Sequence, residues 1–213
     1  MTMYFITPNY SFAFIPKVGC SSLARVVIRQ FQPKDNTMII NGHYPEGLNA
    51  ENSKWQSIAQ REHWPSKPIV ALIRDPIERF KSAMSQMHFS DVDAAIDSLK
   101  NGTLMQCFKR KTKLMDNGHF KPQIMWVDET TKLYKFPDHI QNALNEVGIE
   151  GSLPVINQYS FPKPELTTEQ RLELEIIYQE DIALYNAITS PGIVTGIVSP
   201  NRPQKPETPP VEE

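Results

Sequence analysis

Short unbroken apolar runs alternate with stripes of helical period along most of the chain, which is the pattern of strands exchanging with helices. One such run is Phe12, Ala13, Phe14 and Ile15, which predicts a buried strand, and Leu23, Val26, Val27 and Phe31 then recur at helical spacing up to about Gln32 and Pro33. Ahead of them, residues 4–6 predict a short strand that turns at Pro8 and Asn9. Residues 37–40 form a β-branched apolar run. The polar stretch 46–67 has weak periodicity and predicts a surface segment with one short helix. Residues 69–73, Ile-Val-Ala-Leu-Ile between Pro68 and Arg74, give the strongest strand signal, as expected for a parallel strand buried on both faces at the middle of a sheet.

Beyond that strand, Asp75 suits a helix cap and Pro76 the first helical position, with Ile77, Phe80, Met84 and Met87 as the inward stripe. A helix over 92–100 turns Val92, Ala95, Ile96 and Leu99 inward, and Gly102 lies beyond its end. Residues 133–136 predict a strand, and 138–147 a helix closed by Gly148. Residues 154–157 read as extended and 158–164 as a loop. Thr167 begins the longest helix, with Gln170 placed for a capping box and Leu174, Ile177, Tyr178, Leu184, Tyr185 and Ile188 inward. From 199 onward, five prolines and three glutamates predict a disordered tail. The expected architecture is α/β: one domain over 1–198, a three-layer sandwich around a central, mainly parallel sheet. No internal repeat is present.

Composition narrows the class without choosing it. With 213 residues, 40% hydrophobic and 9% aromatic, the chain can bury a sizeable core, and a net charge of −2 gives no global reason to bind nucleic acid or an anionic membrane. No stretch approaches the length of a membrane span, and the first residues lack a basic segment followed by an apolar run, so no secretory signal is expected. Cys20 and Cys107 are the only cysteines, and a reducing cytoplasm is the expected compartment.

The chemistry gathers at two strand-to-helix junctions. In the first, Pro16-Lys17-Val18-Gly19-Cys20-Ser21-Ser22, the glycine allows close backbone approach, and Ser21 or Ser22 can cap a helix whose N–H groups face the same spot. An anion, phosphate above all, is the expected guest. The loop is not a Walker A motif, because Lys17 precedes the glycine instead of following it. In the second junction, Arg74 stands at the tip of the 69–73 strand and Ser82 about two helical turns further on, suited to a second phosphate. Taken singly, Arg74 with Asp75 reads as a local ion pair and Arg79 as a solvated helix face. In a parallel sheet, however, both junctions open on one edge. Gly42 and His43 follow the 37–40 run at its carboxyl end, and a histidine there has a pKa range suited to general-base work or can simply close the turn before Pro45. The basic run 109–113 reads as a solvated face or as an anion contact.

The pair Phe-Ile-Pro-Lys-Val-Gly-Cys-Ser-Ser-Leu and Val-Ala-Leu-Ile-Arg-Asp-Pro-Ile-Glu-Arg-Phe-Lys-Ser-Ala resembles the two signature motifs of sulfotransferases that use 3′-phosphoadenosine 5′-phosphosulfate. It is most similar to their carbohydrate branch, the heparan sulfate 2-O-sulfotransferases in particular, where a Gly-His element also lies between the motifs. Looser likenesses are His119-Phe120-Lys121-Pro122-Gln123 and residues 177–185, so the resemblance spans about residues 10–190. It departs from the family at Cys20 and Ser21, where many members carry Gly-Thr or Thr-Ser.

The resemblance implies a P-loop-like sulfotransferase fold and in-line transfer of a sulfuryl group to a hydroxyl or amine of a carbohydrate or small molecule. It implies a donor held by Lys17, Val18, Gly19, Cys20, Ser21, Ser22, Arg74 and Ser82, with Lys17 catalytic and no metal. His43 is the implied base, with Glu46 or His119 as replacements. Glu46, His119, Gln123 and Lys163 are candidate acceptor or loop contacts. No nucleic-acid or membrane partner is expected, and a short cytoplasmic form fits best, of bacterial or viral type. Two other classes stay open. A nucleotide-dependent phosphotransferase should show a Walker A loop and a carboxylate for magnesium, and a non-catalytic nucleotide-binding protein would bind without transfer.

Overall fold

The structure, a computed structural model, describes residues 2–6, 10–13, 15–19, 22–23, 26, 30, 55–58, 68–102, 109–110, 113–114, 118–153 and 162–194. Among the described residues, five strands form the main sheet: β1 (Thr2–Ile6), β2 (Ser11–Ala13), β3 (Trp55–Ile58), β4 (Ile69–Arg74) and, later in the chain, β7 (Lys132–Phe136). Their order is β3-β1-β2-β4-β7. β2 and β4 run parallel with Ala13 opposite Ala71, and β4 and β7 run parallel with Arg74 opposite Phe136. β1 is antiparallel to both β2 and β3.

The fold is therefore mixed α/β. Three neighbouring strands are parallel and the other edge is antiparallel, so the expected mainly parallel sheet holds for only one half. Two further expectations are corrected. β4 lies one place from the centre, between β2 and β7, although its residues Ile69 to Ile73 are buried as an inner parallel strand requires. Within 46–67, Trp55–Ile58 is an edge strand. Its sequence, Trp-Gln-Ser-Ile, has little apolar alternation, so periodicity does not mark it.

Helix α1 (Pro76–Met87) begins as the sequence predicts: the Asp75 carboxylate accepts from Glu78 N at 2.9 Å and Pro76 occupies the first turn. Helix α2 (Val92–Lys100) is capped by Asp91 and turns Val92, Ala95, Ile96 and Leu99 inward. The short hairpin strands β5 (Lys109–Arg110) and β6 (Lys113–Leu114) pair within the basic run. A 3₁₀ turn spans Gln123–Trp126 and helix α3 (Ile140–Glu146) follows β7. The last helical region is broken in two at Tyr178, into α4 (Thr168–Ile177) and α5 (Gln179–Ala187), with the Thr167 and Gln170 capping box in place. The small strands β8 (Ile188–Ser190) and β9 (Ile193–Val194) close the described chain.

One core cluster surrounds the sheet, uniting Phe12, Ile15, Leu72, Leu133 and, from α3, Ala143 and Leu144. A second joins α1, α2 and α4 through Phe80, Met84, Ile96, Phe120, Leu174 and Tyr178. At about 25 cal/mol per Å² of buried apolar surface, side chains of this size each contribute roughly 1.5–3 kcal/mol. No helix among the described residues is long and apolar enough to cross a membrane. The runs at 37–40 and 154–157 and the tail lie outside the described residues.

Candidate functional site

Where β2 leaves the sheet after Ala13, the chain enters the first loop. Ile15 and Val18 are buried, so Val18 offers only its backbone to a ligand. Lys17 and Gly19 both have positive φ, 71° and 82°. For a lysine this conformation costs about 1–3 kcal/mol, a strain of the kind that collects at ligand sites. At Gly19 a Cβ would come within 2.9 Å of the Phe136 ring, so the sheet itself requires glycine there. Leu23 N donates to the Gly19 carbonyl at 2.9 Å, which closes the first helical turn. Ser22 is consequently already helical and buried, not the cap. Cys20 and Ser21 lie outside the described residues.

The second junction meets the first directly. Arg74, last residue of β4, donates from Nη1 to the Lys17 carbonyl at 3.0 Å, and its guanidinium lies 5.5 Å from the centre of the Phe136 ring. Burial pulls its pKa down from the usual arginine value, while Glu78 and then Asp75 act in the opposite sense. The Lys17 ammonium donates to Gln86 Oε1 at 2.7 Å. Gln86 lies one turn beyond Ser82 on the same face of α1, so Lys17 reaches along the face that carries Ser82. The two junctions, read separately in the sequence, are thus a single cluster.

Arg79 departs from its expected place. It is 1% exposed, and its guanidinium donates to the carbonyls of Pro16 (3.0 Å), Lys121 (2.8 Å) and Gly118 (3.0 Å) while lying 5.7 Å from the Trp126 ring. The solvated-face reading is corrected: Arg79 ties the first loop to 118–121. A signal was present, because Pro76, Arg79 and Ala83 follow the buried helical spacing.

Asp181 is the second residue that the sequence reading missed. Fully buried on α5, it accepts from Gln123 N at 2.7 Å and Ile124 N at 2.9 Å. Burial pushes its pKa up, opposed by those bonds and by Arg79. It too stands on an apolar stripe, three residues after Tyr178 and three before Leu184. Tyr178 anchors the same segment by donating to the Phe120 carbonyl at 2.8 Å.

Of the other candidates, Gln123 is fully buried, and its amide is engaged with the Arg74 main chain instead of facing an acceptor. Lys163 is exposed and donates to Glu78 Oε2 at 2.8 Å, a bond that holds the Glu78 carboxyl below its usual range. Lys163 therefore lies beside the start of α1. His119 is half-buried within the Arg79-bound segment 118–121, and Ser82 is half-buried on α1. His43 and Glu46 lie outside the described residues.

The described residues thus define a mixed α/β protein with an arginine-lysine cluster at the carboxyl ends of two neighbouring parallel strands. No family model, curated protein or solved structure matches the chain.

Proposed function

We propose that the protein is a sulfotransferase that moves a sulfuryl group from 3′-phosphoadenosine 5′-phosphosulfate to a hydroxyl or amine of a carbohydrate or small molecule. The observation that carries this reading is the bond from Arg74 Nη1 to the Lys17 carbonyl, which joins the two motif junctions at one sheet edge. Ligands of open α/β sheets collect at that edge. The finer architecture that goes with this reading is a three-layer, P-loop-like sulfotransferase fold.

The residues present suit such a donor. Arg74 retains guanidinium donors beyond the one bound to Lys17, and Lys17 lies on the Ser82 face of α1. In this reading Arg74 and Ser82 hold the 3′-phosphate. The Lys17 ammonium and the backbone of residues 18–22 stabilise charge on the oxygens of the transferring group. Lys17 would leave Gln86 to do so, a change of side-chain rotamer. His43 takes the acceptor proton, and the transfer needs no metal.

Calorimetry with adenosine 3′,5′-bisphosphate and with adenosine 5′-monophosphate tests the reading. A preference of about tenfold or more for the bisphosphate is expected from one charge-assisted phosphate contact. Absence of any preference would sink it. A transfer assay over glycans and small acceptors then separates catalysis from mere binding, and turnover that disappears with EDTA would favour phosphotransfer instead.

A further inference from the structure

The described pairing of β2 with β4 runs to Ala13, opposite Ala71, and Pro16, which the same register would set opposite Arg74, already lies in the turn of the first loop. Arg74, three residues further along β4, still has its β7 partner Phe136 but no strand partner from β2. Its main-chain N–H and C=O are nevertheless both bonded, and to one side chain. Arg74 N donates to Gln123 Oε1 at 3.0 Å, and Gln123 Nε2 donates to the Arg74 carbonyl at 2.8 Å. A primary amide presents the same donor and acceptor as a peptide group, so Gln123 stands in for the missing strand.

The amide can do this only if its own backbone is fixed, and Asp181 fixes it. The carboxylate accepts from the N–H of Gln123 and of Ile124, and Gln123 and Asp181 are both fully buried. A chain of bonds therefore runs from α5 through the 3₁₀ turn to the strand tip, and from Arg74 to the Lys17 carbonyl. Every link is made by the chain's own groups.

We propose that Gln123, held by Asp181, is a positioning residue of the anion site: by replacing the strand that β2 ceases to provide, it sets the direction from which the Arg74 guanidinium meets a phosphate. The anion itself rests on the functional reading above; the hold on Arg74 does not.

Two measurements on Gln123→Met, which keeps the length but removes both bonds, separate these layers. The first is hydrogen exchange at the Arg74 amide, with Leu72 as an internal control. Exchange at Arg74 should quicken by about tenfold or more as its bond opens, with Leu72 unchanged. The second is the ratio of affinities for adenosine 3′,5′-bisphosphate and adenosine 5′-monophosphate. That ratio should fall by about tenfold, whereas generalised loosening would weaken both nucleotides alike.

Unchanged Arg74 exchange, or an unchanged ratio in a folded variant of a protein that prefers the bisphosphate, overturns the proposal. If the wild type has no such preference, the nucleotide reading fails, and the exchange result alone decides whether Gln123 fixes Arg74. Should Gln123→Met not fold, Asp181→Asn, which disturbs the hold on the Gln123 and Ile124 N–H groups, takes its place in the same two measurements.

Discussion

Arg79 Nε donates to the Pro16 carbonyl at 3.0 Å, so the helix that begins the second junction grips the backbone of the first. The same guanidinium holds the carbonyls of Gly118 and Lys121, and all three acceptors belong to loops. A buried arginine is costly to desolvate, and the cost is tolerable here because the planar fork satisfies several main-chain groups that no secondary structure reaches. What the sequence offers as a surface charge is the internal tie of three segments.

Replacing Arg79 should accordingly be a stability change. Arg79→Ala leaves three part-buried carbonyls without their donor, and at about 1–3 kcal/mol for each lost partner the total loss should be roughly 3 kcal/mol or more. Arg79→Lys keeps the charge but not the fork, and should recover only part of the loss. Denaturant unfolding measures both; a loss below about 1 kcal/mol for the alanine variant would contradict the tie.

Gly19→Ala should damage the fold and the site together. At φ 82° an alanine costs roughly 1–2 kcal/mol in backbone strain. Its Cβ also meets the Phe136 ring at 2.9 Å, the ring over which Arg74 lies. Moving the ring moves the cation. The expected outcome is a lower Tm together with weaker binding of adenosine 3′,5′-bisphosphate, beyond the loss seen for Gly102→Ala, where a Cβ meets nothing within 4 Å.

The segments legible in the sequence are those where local chemistry and tertiary packing ask for the same thing. The strand from Ile69 followed by Asp75 and Pro76 is one; the helix over 92–100 and the capping box at Thr167 are others. The edge strand at Trp55–Ile58 is not legible because only its two end residues are apolar, which breaks the period-two alternation. The break at Tyr178 was hidden because no proline or glycine marks it; the side chain is buried, with its hydroxyl on Phe120. Arg79 and Asp181 carry charges that suggest a solvated face, yet each lies on the inward stripe of its helix. Where a charged residue interrupts an apolar period, its partners are main-chain groups far away in sequence, which composition and spacing do not display.

Asp181 should leave a mark on the pH dependence of stability. Burial raises its folded-state pKa above the ordinary 3.8, so across the interval from about 3.8 to the raised value the folded protein binds more protons than the unfolded chain. Stability from this group must then fall as pH rises through that interval and level off above it. Asp181→Asn does not titrate, so the stability difference between wild type and variant, measured in urea from pH 4 upward, isolates the effect. A difference that grows with pH instead would mean that the two N–H bonds to the carboxylate outweigh its burial.

Lys17 and Arg74 should fail in different ways if they serve the two ends of one donor. The Lys17 ammonium is bonded to Gln86, and Arg74 bonds Lys17 through its main-chain carbonyl, so removing the Lys17 side chain leaves that bond's acceptor in place, and removing the Arg74 side chain leaves the Gln86 bond. Lys17→Ala should lower turnover by about 10²–10³-fold, the usual loss for one donor aimed at transition-state charge, with nucleotide affinity changed far less. Arg74→Ala should chiefly weaken binding of the 3′-phosphorylated nucleotide and leave adenosine 5′-monophosphate nearly as before, because its contact is with a group remote from the transferring oxygen. Steady-state kinetics and calorimetry on the two variants check the split. Equal losses of affinity and turnover in both would mean that the cluster acts only as a structural joint between β2 and β4.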